Sequence, residues 1–226
     1  MRDLVGFDTE TTGVMAREDR VVTAALVRRR PDGSQQTRTW LIDPGVEIPA
    51  RATAIHGITT ERARAEGRRP AEALEEVAAA LVECLAAGVP VLAFNAQYDL
   101  RILEAELARH GLATLAQRLG GPLAPVIDPL LIDRGVDRYR PGKRKLVDLI
   151  AVYGLPGSDN LHDALEDVRQ AIGVFDAIER RHQQIAALDA AALHQWQVPR
   201  HREWAESFNR WLAARGRTPD ADPVWP

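Results

Sequence analysis

The sequence predicts an α/β fold built on a sheet of mixed direction, and three observations carry that expectation. Three β-rich runs open the chain, at Leu4–Phe7, Arg20–Arg30 and Gln36–Asp43. Between the second and third, Pro31-Asp32-Gly33 forms a turn in which Pro fixes φ and Gly supplies a positive φ, so the three runs read as an antiparallel meander. From residue 70 onward helical and strand-like segments alternate, which adds further strands to the same sheet.

Each element has its own signal. Leu4-Val5-Gly6-Phe7 is a short apolar run that reads as a buried strand, and Asp8 and Glu10 follow it directly. Side chains alternate along a strand, so both acids project to one side. Two carboxylates crowded on a buried strand repel each other and lose hydration, which calls for a positive charge between them, and a divalent cation is the obvious candidate. Leu74, Val77, Leu81 and Leu85 recur at helical spacing from Pro70 to Ala87, and Gly88 stops that helix. Val89–Phe94 is a fourth strand, Tyr98–His110 a helix ended by Gly111, and Pro125–Asp128 a short fifth strand. Helices follow at Lys145–Tyr153 and Asp163–His182.

Composition bounds the class. A chain of 226 residues with 46% hydrophobic and 27% charged residues suits one soluble globular domain with an appendage. The net charge of −3 offers no global basic field, so any nucleic-acid binding must rest on a local patch. Cys84 is the single cysteine, which excludes disulfides and Cys-based zinc sites within the chain; it is expected as a small core residue beside Leu81, Val82 and Leu85. No signal segment is expected ahead of the first strand and no apolar stretch approaches membrane-spanning length, so a cytoplasmic protein with no membrane partner is expected. The oligomeric state is left open.

From Gln183 the texture changes. Four of the five tryptophans lie in this tail, with two Pro-containing breaks and an expected helix over Arg202–Ala214. Trp204, Phe208 and Trp211 fall on one stripe of that helix, expected to pack on the main domain, with a partner-binding helix as the minority reading. The expected division is therefore 1–182 for the main domain and 183–226 for a helical extension with a flexible end.

Three motifs carry the functional reading: FDTETTG at residues 7–13, FNAQYD at 94–99 and HDALED at 162–167. In this order and at these intervals they resemble the exonuclease motifs of the DEDDh 3′→5′ exonucleases, a group that includes the proofreading epsilon subunit of bacterial replicative polymerases. The resemblance runs over residues 3–182. It implies a ribonuclease H-like fold, a five-stranded mixed sheet flanked by helices. It also implies that Asp8, Glu10, Asp99 and Asp167 hold two Mg2+ or Mn2+ ions and that His162 is the general base. Hard oxygen ligands suit those ions, and an imidazole suits proton transfer near neutral pH. Thr11, Thr12 and Gly13 would let the backbone approach the terminal nucleotide. His56, in Ile55-His56-Gly57-Ile58, would lie along its sugar and base, and Asn95 would contact the substrate strand; relatives often carry His where this chain has Phe94. Asp163 and Glu166 are expected as helix N-terminal charges and Asp128 as a turn acid.

Six basic residues, from Arg134 to Lys145, surround a single acid, Asp137. Of these, Arg140, Lys143 and Arg144 are expected either to track substrate phosphates or to form a solvated loop. The leading expectation is a metal-dependent 3′→5′ exonuclease whose partner is the 3′ end of single-stranded DNA. An exoribonuclease or oligoribonuclease would use the same motifs, and a polymerase-associated proofreading subunit is a further alternative. A non-catalytic nucleic-acid-binding module is disfavoured because the motifs are intact. Gln183–Leu188 occupies the place of the epsilon subunit's sliding-clamp motif, but only the Gln and the final Leu fit, so polymerase or clamp partners have weak support.

Overall fold

The computed structural model describes residues 1–157 and 162–225. Five strands form one mixed sheet in the order β3-β2-β1-β4-β5. They are β1 (Leu4–Thr11), β2 (Val21–Arg29), β3 (Gln35–Leu41), β4 (Val91–Leu92) and β5 (Val126–Ile127). The first three are the expected antiparallel meander, and β4 and β5 run parallel to β1. β1 extends past the apolar run, so that Asp8 pairs opposite Ala25 and Glu10 opposite Thr23. A bulge between Glu10 and Thr11 then ends the regular register, the kind of irregularity that re-aims side chains beside active sites.

The helices are α1 (Ala50–His56), α2 (Thr60–Glu66), α3 (Pro70–Ala86), α4 (Ala96–Arg109), α5 (Leu115–Leu119), α6 (Pro129–Val136), α7 (Leu146–Val152), α8 (Ala164–Arg181), α9 (Gln183–Ala186) and α10 (Ala190–Ala213). Two hydrophobic layers sandwich the sheet. Val5 and Phe7 pack with Leu74 and Leu81 of α3 and Leu100 and Leu103 of α4. Leu4, Leu92 and Ile127 pack on the opposite side with Val168, Ile172 and Phe175 of α8. Gly6 makes the second contact close: a Cβ there would collide with Val168 and press on Ile172. Without a side chain at this point α8 settles against β1, and this places the first turn of α8 beside Asp8 and Glu10. No helix among the described residues is long and apolar enough to cross a membrane.

Three expectations are corrected. The segment after Asp128, for which the sequence reading gives no helix, opens with α6; Asp128 caps it, accepting from Leu130 N at 2.9 Å, and Pro129 occupies its first position. Eight residues are too few to display helical periodicity. Second, the tail helix begins at Ala190 and runs through Pro199. Proline removes one helix hydrogen bond, that to Gln195 O, and crowds the preceding turn; around it Arg200 donates to Trp196 O at 2.7 Å and Gln197 to Leu193 O at 3.1 Å. Third, the stripe of Trp204, Phe208 and Trp211 is not the packing face, since Trp204 and Phe208 are half-buried and Trp211 is 43% exposed. The buried face is Leu193, His194, Gln197, His201 and Ala205.

That face closes the sheet edge. Val126 N donates to His194 Nδ1 at 3.1 Å, Gln197 Nε2 donates to Val126 O at 2.9 Å, and Asp128 N donates to Gln197 Oε1 at 2.8 Å. Side chains of α10 thus supply the partners that a sixth strand would have supplied, which protects an otherwise open edge. The end of the chain, expected to be flexible, returns to α4: Gln97 donates to Val224 O at 2.7 Å, and Trp225 is 5% exposed with its ring 5.1 Å from that of His194. Cys84 is half-buried against the α3 core. In the Gln183–Leu188 segment Ile185 is fully buried and Arg2 donates to Ala186 O at 3.1 Å, while the two residues that fit a clamp motif are exposed (Gln183) and half-buried (Leu188).

Candidate active site

Four carboxylates converge at the C-terminal end of β1, from three elements. Asp8 and Glu10 project from β1 toward α8, as alternation requires, and Asp167 meets them from the first turn of that helix. A carboxylate oxygen of Glu10, one of Asp167 and a ring nitrogen of His162 all lie within 4.8 Å of one another. Asp99 arrives from the other face of the sheet, in the first turn of α4, and is 3% exposed. It is tied to the strand residue between the two acids: Thr9 donates its backbone N–H to Asp99 Oδ1 at 3.1 Å and its hydroxyl at 2.7 Å.

The electrostatics of the cluster are those of unneutralised acids. Burial holds Asp8 protonated well above the usual carboxylate range, and Asp99, Asp167 and Glu10 raise it further. Burial followed by repulsion from Asp167 and Asp99 pushes Glu10 up to about 8. Burial takes Asp99 to about 7 despite the two Thr9 hydrogen bonds that favour its anion. Asp167 is also raised by burial, against the pull of His162. The charged groups acting on Asp8 and Glu10 are all acids, so this oxygen donor set fits a hard divalent cation, which would supply the missing positive charge.

Around the acids the backbone is held in uncommon conformations. His162 is exposed with φ 76°, and its N–H donates to Asp167 Oδ1 at 3.3 Å. Leu161, just before it, lies outside the described residues. Asp163 caps α8 through Leu165 N and Glu166 N, and Glu166 accepts from Gln170, so both take the helix-terminal roles expected of them. Asn95 has φ 64° and an exposed side chain. Its N–H and that of Ala96 donate to Asp128 at 3.1 Å each, and Asp128 is 4% exposed. Asp128 is therefore not a solvated turn acid. One carboxylate caps the start of both α4 and α6, and so fixes the helix that carries Asp99. Burial raises it to about 6 even so.

The remaining expected residues divide. Tyr98 OH donates to Gly13 O at 2.5 Å, and Thr11 Oγ1 donates to Tyr98 OH at 2.8 Å while lying 2.6 Å from Gly13 O. Thr12 is buried and its hydroxyl is committed to Asp19 at 2.9 Å. His56 Nδ1 accepts from Ile58 N at 3.1 Å, which leaves Nε2 as the protonated nitrogen; that atom is buried with no partner. Burial lowers the basicity of this imidazole and keeps it a neutral donor. A cavity of about 350 Å³ opens there, lined among others by Glu10, Thr23, His56 and His162. The Thr23 hydroxyl, a second buried polar atom without a partner, shares its lining. Sequence reasoning missed Thr23, Tyr98 and Thr9, since a hydroxyl inside a strand or helix carries no motif of its own.

Arg140 and Arg144 are brought together, but on an internal acid. Both pair with Asp133, which is buried, Arg140 at 2.8 Å, and Arg144 also donates to Asp137 O at 2.5 Å. Only Lys143 of the three expected phosphate contacts is exposed.

Comparison with known proteins accords with this geometry. An uncharacterised exonuclease of Escherichia phage 186 is 31% identical over 182 residues, 79% of this chain and 89% of the phage protein. The PolC-type DNA polymerase III of Streptococcus thermophilus is 30% identical over 133 residues, 58% of this chain and 8% of the polymerase, so the chain spans a small part of those relatives. Among solved structures, E. coli exonuclease I in complex with a dT13 oligonucleotide superposes with a TM-score of 0.67 at 21% identity, over 82% of this chain and 42% of that one. A zinc-bound form of the E. coli exonuclease I–ssDNA complex gives 0.69 at 20% identity, over 89% and 43%. These likenesses establish the ribonuclease H-like fold. A family model described as RNase_T exonuclease matches residues 5–175. With that match laid over the four converging acids, the chain belongs to the RNase_T exonuclease family, among its DEDD members.

Proposed function

We propose that this exonuclease removes nucleotides from the 3′ end of single-stranded DNA with the help of two divalent cations, Mg2+ or Mn2+. The observation that carries the reading is the meeting of Asp8, Glu10, Asp99 and Asp167, whose protonation is raised first by burial and then, for Asp8 and Glu10, by repulsion from the other acids. These four residues would hold the ions. When bound, the ions supply Lewis-acid polarisation of the phosphate and offset charge on the attacking and leaving oxygens.

The chain's own residues do the rest. The His162 imidazole, exposed and within 4.8 Å of Glu10 and Asp167, accepts a proton from the attacking water at a ring nitrogen. Its backbone N–H bond to Asp167 keeps ring and carboxylate in step. Thr9 orients Asp99, and Asp128 holds the helix on which Asp99 sits. The neutral His56 Nε2–H and the Thr23 hydroxyl present unused hydrogen-bonding groups to the cavity beside Glu10. Such a cavity suits the sugar and base of a terminal nucleotide, where an unmet donor inside the protein finds its acceptor. The bond between Tyr98 and Gly13 stiffens the TTG segment along the same edge.

The test is a 5′-labelled single-stranded oligonucleotide, as DNA and as RNA, with Mg2+, with Mn2+ and with EDTA. A ladder shortening from the 3′ end in metal alone is the expected result. Preference for RNA would replace the DNA reading, and a single internal product would overturn the exonuclease polarity.

A further inference from the structure

We infer that a second phosphate-binding site lies between α6 and the C-terminal helix α10, taking the sugar–phosphate backbone of a single nucleic-acid strand upstream of its 3′ end. This rests on the exonuclease reading for the identity of the strand, not for the existence of the site. The site is a cavity of about 700 Å³ whose lining includes Arg134, Arg138, Arg144, Arg200, Trp204 and Ser207.

Two of its arginines lie over indole rings. The Arg134 guanidinium sits 4.0 Å above the Trp204 ring, and that of Arg200 sits 3.7 Å above Trp196. Both are half-buried, and among the described residues neither forms an ion pair. A guanidinium held over an aromatic face can turn its N–H groups to an anion, the geometry that matches a phosphate; Arg200 gives one N–H to Trp196 O and keeps the rest. By contrast, Arg144 is spent on Asp133, and Arg138 reaches Glu203 only at 3.7 Å between two exposed side chains. An arriving anion therefore finds the Arg134 fork free, the Arg200 fork free except for the one N–H given to Trp196 O, and a third cation held by a weak, displaceable pair.

The fold builds this arrangement deliberately close. Gly135 faces α10, and a Cβ there would collide with the Trp196 ring and the Arg200 side chain. The absent side chain lets Trp196 and Arg200 lie against α6. The cavity is linked to the acid cluster through α6. α6 begins at Asp128, whose carboxylate holds Asn95 N beside Asp99. Arg134 lies six residues along that helix, about 9 Å. A strand whose end occupies the acids reaches the cavity within a few nucleotides.

Phosphate, rather than base, is what this surface reads. Trp204 carries Arg134 on one side and stacks on Phe208 with ring centroids 5.4 Å apart; Phe208 stacks in turn on Trp211 at 5.7 Å, and Arg215 sits 4.2 Å from the Trp211 ring. The aromatic faces are thus occupied within the column, and binding should be indifferent to base sequence.

The experiment measures binding of fluorescent (dT)12, (dA)12 and (dT)3 to the full chain in EDTA across a salt series. It compares wild type with Arg134→Gln/Arg200→Gln and with Arg134→Lys/Arg200→Lys. In the Gln pair (dT)12 and (dA)12 should both bind about tenfold more weakly, and the log–log salt slope should be shallower by about 1.4, two contacts at about 0.7 each. The ratio of (dT)12 to (dT)3 affinity should fall with it. The Lys pair should keep the slope and recover part of the affinity. If the Gln pair melts below the assay temperature, Arg200→Gln alone should shift the slope by about 0.7. Unchanged (dT)12 affinity and slope overturn the site. So does an octaglutamate peptide that binds wild type tighter than (dT)12 and is lost in the Gln pair while (dT)12 is not, because the cavity then belongs to an acidic partner. Failure of wild type to cleave either DNA or RNA would sink the exonuclease reading while leaving this binding result to stand or fall alone.

Discussion

Thr9 gives both of its hydrogen-bond donors to one oxygen of Asp99, the backbone N–H at 3.1 Å and the hydroxyl at 2.7 Å. The residue between two acids of β1 thereby fixes the acid of α4, across the layer that separates them. Thr9→Val keeps the shape and deletes the hydroxyl donor. Asp99, already at about 7, should rise further. Groups that orient a metal ligand typically change metal affinity by about 10- to 100-fold when removed. The Mg2+ concentration for half-maximal activity should rise by that order, and an unchanged Mg2+ midpoint would deny Thr9 this role.

Asp8→Asn should abolish cleavage without lowering the melting temperature in EDTA. Asp8 is raised by burial and by four neighbouring acids, so the neutral amide matches the form that the metal-free protein already favours. Mg2+ should raise the melting temperature of wild type, and less so that of the variant. Near-normal activity in a preparation free of host nucleases would refute the assignment.

The pH dependence of metal-free stability follows from the same acids. Glu10 at about 8, Asp99 at about 7, and Asp8 and Asp167 shifted the same way all have folded values above their ordinary range near 4. A carboxyl raised on folding is protonated more readily in the folded chain, so its stabilisation is complete below about pH 4 and is lost as pH rises to about 8. In EDTA the melting temperature should therefore fall between pH 5 and pH 8. Saturating Mg2+ should flatten or reverse that fall. Scanning calorimetry of wild type and Asp8→Asn checks both, and a melting temperature in EDTA that climbs through this window contradicts the cluster's role.

His162→Ala should lower kcat by about 10²- to 10⁴-fold, the usual range for a general base, with a small change in KM. The side chain is exposed, so the melting temperature should not move. Equal losses in kcat/KM and in oligonucleotide affinity would make His162 a binding residue instead.

Gln197→Leu tests the closure of the sheet edge. It leaves Asp128 N and Val126 O without their partners in a buried setting, at a cost of about 1–3 kcal/mol for each group. In a chain of this size about 1 kcal/mol corresponds to about 2–4 °C, so a fall of several degrees is expected. Gln197→Glu, which retains an acceptor for Asp128 N, should recover part of it. A fall of under one degree in Gln197→Leu would show that the edge tolerates solvent.

Much of the site was legible because its parts are local. Asp8 and Glu10 needed only strand alternation to be placed on one side. His162, Asp163 and Asp167 needed only a helix start, and Gly88 and Gly111 mark helix ends that the structure keeps. Resemblance to the DEDDh motifs then joined the three segments, which no periodicity could do. Local signals determined the strand runs, the mixed sheet and the helices that became α3, α4, α7 and α8, while α1, α2, α5, α6 and α9 were not read from the sequence; the grouping of the acids came from the resemblance.

What only tertiary structure decided are the meetings between residues far apart in the chain. Arg140 and Arg144 look alike in sequence to Arg134, yet a buried acid at Asp133 claims the first two while an indole 70 residues away supports the third. Asp128 reads as a turn acid until Asn95 and Ala96, some thirty residues earlier, are seen to donate to it. The Trp204, Phe208 and Trp211 stripe has a sound helical period, but His194, Gln197 and His201 are buried instead, because β5 presents backbone groups that need polar partners. Hydrophobic periodicity weighs apolar area alone. Which face of a helix goes inward also depends on the hydrogen bonds that the opposing surface leaves unmet, and those exist only once the sheet has formed.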